Sequence, residues 1–326
     1  MSSLSNPWSS APVSAALEIT ATRINAVSVA ADRSITAHVS EALPEGLLTP
    51  ALNATNVQDP TALTAAVKDV ADRLSPRPRR VALVLPDTVA KVSLLRFEKA
   101  PPKTQDLEQM IRWQMRKAAP FRIEDAQVAW SESRQAPAGG HEYLVVLARR
   151  DIIESYERVC DGAGIHAGVV DIASLNIVNA AIAMQAETSG DWLLIHIAPG
   201  YATIAVVRKG DVIFFRNRPA DGTAIDLGDL VHQTAMYHED RLGGGGFARV
   251  VLAGVNTQGT ETVERTRRQV EERLGAKVET LDVRVGVALR DRITASSELL
   301  DSLAPAVGVL LRERTAEVRN RPVQVA

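Results

Sequence analysis

Asp87 follows a short apolar run, Val81–Leu85, and Pro86. The end of a buried strand is a common place for a catalytic acid, but Pro86-Asp87 also makes an ordinary turn, and the turn is the favoured reading. His232 and His238 lie six residues apart. A zinc-binding helix needs its two histidines four apart to bring both imidazoles onto one face, so His238-Glu239 reads as a solvated helix face. Cys160 is the single cysteine and falls on the apolar side of a predicted helix, which makes it a buried structural thiol rather than a nucleophile. The run Gly243–Gly246 has no Lys-Ser/Thr after it, so it is no phosphate loop and reads as a flexible joint. Trp113 lies off the stripe Leu107, Met110, Ile111 of its predicted helix. It is either packed on the other side of that helix or exposed, and an exposed indole is a frequent anchor for a partner.

The whole chain narrows these options. It has 326 residues, enough for about two domains. With 46% hydrophobic and 23% charged residues and a net charge of −2, it lacks the basic footprint of a nucleic-acid binder. The runs Arg77–Arg80 and Arg265–Arg268 are short and read as solvated faces. One cysteine excludes an intrachain disulfide. Met1–Pro12 is Ser-rich, without the basic start and apolar core of a signal peptide, and is expected to be a disordered leader. No apolar run approaches the ~20 residues that span a bilayer, so direct membrane insertion is not expected and the expected compartment is the cytosol.

The elements that must position any site can be read in order. Val13–Ile19, Ile24–Ala30 and Ser34–Val39 are three predicted strands rich in small and β-branched residues. Asp59-Pro60 opens a helix with the stripe Leu63, Val67, Val70 and Leu74, and Val81–Leu85 is a buried strand. From Val89 to Ile172 the pattern is strand, helix, two strands, helix, strand, with Asp151 and Glu154 expected to form a capping box. A nearly all-apolar helix, Leu175–Met184, starts the second half. Three more strands follow at Trp192–Ile197, Thr203–Val207 and Val212–Arg216. Then come a helix to Leu242, a strand at Val250–Ala253, a charged helix, and a closing apolar helix at Ala304–Arg314.

A three-strand meander followed by helices and a buried strand thus occurs twice, with a small module inserted in the first copy. This order resembles the actin-like FtsA/PilM family, and within it most closely the PilM proteins of type IV pilus assembly. The resemblance is carried by Val81-Ala-Leu-Val-Leu-Pro86-Asp87, by Leu107-Glu-Gln-Met-Ile111-Arg112-Trp113 with Pro120-Phe121, and by Val170-Asp171-Ile172. Val250-Val-Leu-Ala-Gly254 and Ala306-Val307-Gly308-Val309-Leu310-Leu311-Arg312 complete it, so it spans Val13 to Arg314. It implies an α/β actin-like ATPase fold, a duplicated βββαβα, with an inserted β-α-β-β-α-β module. The expected divisions are a leader at 1–12, a first subdomain at 13–88 closed by helix 304–314, the inserted module at 89–172, a second domain at 173–303, and a tail at 315–326.

Proteins of this fold hold nucleotide phosphates on two Asp-Ile-Gly loops, where glycine admits the backbone and the acid holds magnesium. At the matching positions stand Glu18 and Thr20 in the first loop, and His196 and Ala198 in the second. Pro199 removes a further N–H. The adenosine motif keeps Gly254 but has Val255 where a second glycine is usual. Each lost charge-assisted contact costs ~1.5–3 kcal/mol, so the nucleotide site is expected to be degenerate and the chain no enzyme. No cofactor is expected, although Gly200 and Thr203 could still offer weak contacts to Mg-ATP.

The resemblance also implies a partner, a PilN-like bitopic membrane protein whose N-terminal segment would lie in a groove beside the inserted module; other pilus-platform proteins and a second copy of the chain are further candidate partners. It places the chain at the inner membrane through that partner. The alternatives are an active actin-like ATPase, an FtsA-like filament former, and a type II secretion platform component.

Overall fold

The computed structural model describes residues 13–32, 34–133, 140–184, 189–220, 226–255, 260–283 and 296–319. The expected leader at 1–12 and the end of the expected tail, 320–326, lie outside them. The first apolar runs form an antiparallel meander of β1 (Ala15–Ile19), β2 (Arg23–Val29) and β3 (Ile35–Ala42). α1 (Pro60–Arg73) begins where the Asp59 side chain accepts from the Ala62 N–H, with Pro60 supplying a helical φ at no hydrogen-bonding cost. It buries Leu63, Val67 and Val70, the stripe seen in the sequence. β4 (Arg80–Leu85) then runs parallel to β1.

Next come β5 (Ala90–Phe97), α2 (Thr104–Met115), β6 (Ala126–Glu132) and β7 (His141–Arg149), which make a separate three-stranded sheet in the order β5-β7-β6 with α2 on one face. α3 (Arg150–Gly162) and β8 (His166–Ile172) follow. The sequence places these two elements in the inserted module, but β8 pairs with β4 and α3 packs into the same core as α1. They are therefore part of the first copy, and the module's own core is built by β5 to β7, α2 and the segment that joins α2 to β6. The capping box at α3 does not form. Arg149 is the N-cap residue, and the Asp151 carboxylate is held by the Arg149 guanidinium at 2.6 and 2.7 Å.

The second copy repeats the plan with α4 (Ala173–Met184) leading into β9 (Trp192–Ala198), β10 (Tyr201–Arg208), β11 (Asp211–Pro219), α5 (Leu227–Leu242), β12 (Arg249–Ala253), α6 (Thr260–Leu274) and β13 (Val278–Thr280). α7 (Ser297–Arg319) is twice the length read from the sequence and carries Pro305 inside it. The five-stranded sheets have matching orders, β3-β2-β1-β4-β8 and β11-β10-β9-β12-β13. β13 is too short and polar to be legible. Gly243 and Gly244 are a helix stop rather than a joint: Gly243 takes the left-handed conformation at the end of α5, and the Gly244 N–H returns to the His238 carbonyl.

Five layers result. α1 and α3 cover the outer face of the first sheet, and α5 and α6 that of the second. α4 and α7 lie between the sheets in a shared core that takes Ala16, Val27 and Val84 from one and Leu194, Ala205 and Val251 from the other. Because α4 is apolar on nearly every side, it can only sit there. The two middle helices meet at Gly308, where an added Cβ would lie 1.9 Å from the Asn176 carbonyl oxygen. Gly308→Ala is expected to lose about 1–3 kcal/mol of stability by overpacking, read as a lower urea midpoint. Gly245→Ala, where a Cβ meets nothing within 4 Å, serves as the control. Equal midpoints for the two variants would contradict this packing.

Candidate functional site

β4, β9 and α4 all end or begin at the seam between the two halves, which gathers their polar residues at one place. Asp87 stands in the 3-10 turn just after β4, with only 1% of its surface exposed. Its Oδ1 accepts from the Ser174 N–H in the first turn of α4 at 2.9 Å. Its Oδ2 accepts from Thr203 Oγ1 of β10 at 2.6 Å and from Ser174 Oγ in a short contact. Ser174 Oγ is also 2.8 Å from Nδ1 of His196 on β9, and Thr203 Oγ1 accepts from Asn217 on β11 at 2.8 Å. Tyr201 stacks edge-on against the His196 ring and reaches the Asp87 main chain. One carboxylate therefore binds both halves together.

Burial sets the charge states. It pushes the Asp87 carboxyl up, and the bonds from Ser174 and Thr203 offset that only in part. It lowers His196 to about 3, so this imidazole is neutral at pH 7. Glu18, on β1, is 5% exposed and accepts from Asn25 Nδ2 at 2.8 Å. Its carboxyl is raised to about 7 by burial, with the Asn25 bond working against the shift and the Asp87 and Asp301 carboxylates adding to it. Asp301, on α7, accepts from the Gly254 N–H at 2.7 Å.

The structure brings Glu18, His196, Thr203 and Gly254 to this seam. Gly254 has a φ of +80°, and a Cβ there would strike the Ile197 carbonyl oxygen, so glycine is required for chain approach. The other residues read as loop positions are not part of the network. Thr20 closes its own turn, its Oγ1 donating to the Arg23 carbonyl at 2.9 Å and accepting from the Arg23 N–H at 3.0 Å. Ala198 and Gly200 sit at the rim, in and beside the β9–β10 turn. Sequence reasoning passed over Asp87 as a turn residue; it is one, but it is also the centre of the seam. Its position behind an all-buried strand was the available signal. Ser174, Asn217 and Asp301 gave none, since each is polar in an otherwise ordinary segment.

His238 corrects another expectation. It is buried at the end of the α5 stripe Leu227, Leu230, Val231 and Thr234, and its Nε2 pairs with Asp191, which also holds Arg208. Cys160 is buried as expected, its thiol pushed up to about 12. Trp113 is 70% exposed on α2.

A second concave feature lies beside the inserted sheet. A groove of about 760 Å³ runs between β6, β7 and α3 on one side and β8 and α4 on the other, with the β10–β11 turn at one end. Leu144, Val146, Ile153, Leu175 and Ile182 form the apolar part of its wall, and polar side chains line much of the rest. Trp113 is not among its lining residues. Among the described residues, no helix is long and apolar enough to cross a membrane, and no cluster of histidine, cysteine or acidic residues could hold a metal ion.

A family model described as type IV pilus assembly protein PilM matches residues 16–241. A solved structure described as a PilM-PilN type IV pilus biogenesis complex superposes with a TM-score of 0.76, covering 92% of this chain and 98% of that one at 19% identity. The ethanolamine utilization protein EutJ from Carboxydothermus hydrogenoformans gives 0.51 at 13% identity, covering 94% and 91%. A Bacteroides thetaiotaomicron protein with an actin-like ATPase fold also gives 0.51, at 8% identity, covering 82% and 90%. At such identities these structures establish the actin-like fold and no more. No curated protein sequence matches.

Glu18 supplies a test of the seam. Folded, its carboxyl titrates near 7; unfolded, it returns to the ordinary value of 4.5. The folded chain therefore keeps a proton that the unfolded chain gives up, and the stability this adds is complete below 4.5 and lost as pH rises through about 7. The contribution is at most about 3 kcal/mol. His196 works in the opposite sense below its unfolded value, but equally in wild type and variant. The stability of wild type relative to Glu18→Gln is thus expected to fall between pH 5 and pH 8 in urea titrations. A constant difference across that range would contradict the buried, protonated Glu18.

Proposed function

The chain belongs to the PilM family of type IV pilus assembly proteins, and from that premise we propose that it is a non-catalytic scaffold of a pilus assembly platform. In this reading it holds the N-terminal segment of a PilN-like membrane protein in the groove beside the inserted sheet, and it reaches the inner membrane through that partner. The observation that carries the reading is the buried Asp87–Ser174–Thr203–His196 network. Where a nucleotide-binding relative would need open polar groups for phosphate and metal, these side chains satisfy one another. Opening them to a ligand would unmake three bonds to one carboxylate, each worth ~1.5–3 kcal/mol when the acceptor is charged. The first loop is closed in the same way by Thr20.

The groove supports the second half of the reading. Its mixed apolar and polar wall and its open length suit a short peptide segment rather than a compact metabolite. Ala129 projects from β6 into it and is exposed, so a larger side chain there would fill the groove without disturbing the core. The test is binding of a synthetic N-terminal segment of the PilN-like partner to the full chain, followed by calorimetry. Binding is expected, and Ala129→Trp is expected to weaken it at least about tenfold, or 1.4 kcal/mol, with an unchanged melting temperature. No binding, or full binding to Ala129→Trp, would refute the docking site.

A further inference from the structure

α2 breaks its own pattern at one position. Leu107, Ile111 and Met115 recur every fourth residue and pack on the inserted sheet. Trp113 stands two residues from both Ile111 and Met115, about 200° around the helix, and so at the pole that faces water. Its indole is the most exposed large apolar side chain among the described residues. Met110, one turn before it, is half-buried. At such a pole glutamine, lysine or glutamate makes a better helix, without exposing roughly 150–250 Å² of aromatic surface. Neither helix formation nor the module's core accounts for an indole here.

The charges nearest the ring are basic. Arg116 and Lys117 follow one turn after Trp113, in the turn that closes α2. Lys117 forms no ion pair among the described residues. Arg116 has Glu124 3.6 Å away, but both side chains are more than half exposed, so that pair is worth little and exchanges readily. Arg122 has Glu124 and Asp125 at 3.9 Å. Asp106, two turns before Trp113, is the acid on the same face. Arg112 is used inward: it holds Glu108 at 2.8 Å and donates to the Ile123 and Ala126 carbonyls at 3.1 and 3.2 Å.

We propose that this outer face of α2 docks an acidic amphipathic helix of a partner protein, whose apolar residues cover Trp113 and Met110 and whose carboxylates meet Arg116 and Lys117. The face is convex and its main-chain groups are used within the helix. An extended peptide therefore finds neither a sheet edge nor a groove there, whereas a second helix can pack along it. The exposed ring supplies the energetic anchor, and the two bases beside it select the charge of the partner. A membrane-surface helix would need a broad apolar face, and the apolar stripe of α2 is turned to the sheet instead. Because α2 covers one face of the inserted sheet and the groove lies on the other, this surface is independent of the docking site proposed above.

Two helical peptides that share a leucine stripe, and differ only in carrying glutamate or lysine at the polar positions, are titrated onto the full chain. The glutamate peptide is expected to bind about tenfold more tightly or better. Trp113→Ala is expected to lower its affinity at least about tenfold at an unchanged urea midpoint. Arg116→Glu with Lys117→Glu is expected to invert the preference. Tyr237→Ala, which removes an exposed ring from α5, and Ala129→Trp, which fills the groove, are expected to leave the affinity unchanged. No binding of either peptide, equal binding of the two, or undiminished binding to Trp113→Ala would overturn the inference. Weakened binding to Ala129→Trp would overturn it as well, by placing the peptide in the groove. Capture of wild type but not Trp113→Ala by phosphatidylglycerol vesicles, with no discrimination between the peptides, would overturn it in favour of an anionic membrane.

Discussion

A carboxylate with 1% of its surface exposed must be matched by donors or abandon its charge, and Asp87 sets that constraint for the whole molecule. Its partners come from three directions: the first turn of α4, the middle of β10, and through Ser174 the ring of His196 on β9. The positive end of the α4 helix dipole faces it as well. To supply those donors, the second sheet must be held in one position against the first. The packing of α4 on α7 at Gly308 does this on the apolar side of the same helix. Polar seam and apolar layer thus fix one arrangement of the two halves.

The same constraint separates the fold from the chemistry that fold often hosts. In the proposed reading the seam no longer offers groups to a ligand, because Asp87, His196 and Thr203 are used by one another and Thr20 by its own turn. That reading puts the binding function in the groove beside the inserted sheet instead. The inserted sheet builds this second site by turning the face opposite α2, with Gln127, Ala129, Leu144 and Val146, toward the groove.

Much of the fold was legible because most buried strands are short and nearly all apolar, and most helices carry one clear stripe. β1, β2, β4, β9, β10, β12 and α1 follow that rule, and the pairing orders of the two sheets confirm the duplication. What was not legible depended on distant contacts. That α3 and β8 belong to the first sheet is decided by pairing with β4, which no local pattern reports. α7 runs through Pro305 and well past the apolar stretch that revealed it, because α4 and both sheets support it. His238 looked solvated because its partner, Asp191, is 47 residues away. Of the site, Glu18, His196, Thr203 and Gly254 could be found from loop resemblance. Asp87 was visible but undervalued, and Ser174, Asn217 and Asp301 became meaningful only once the halves were assembled.

The central claim is that the chain's own side chains occupy the seam, and thermal melting of the full chain with and without millimolar Mg-ATP tests it most directly. A ligand at about 100 times its Kd would add about 2.7 kcal/mol and raise the melting temperature by several degrees. The account predicts no magnesium-dependent shift. A clear shift that needs both magnesium and ATP would contradict it, and would mean that the Asp87 network opens to admit a nucleotide.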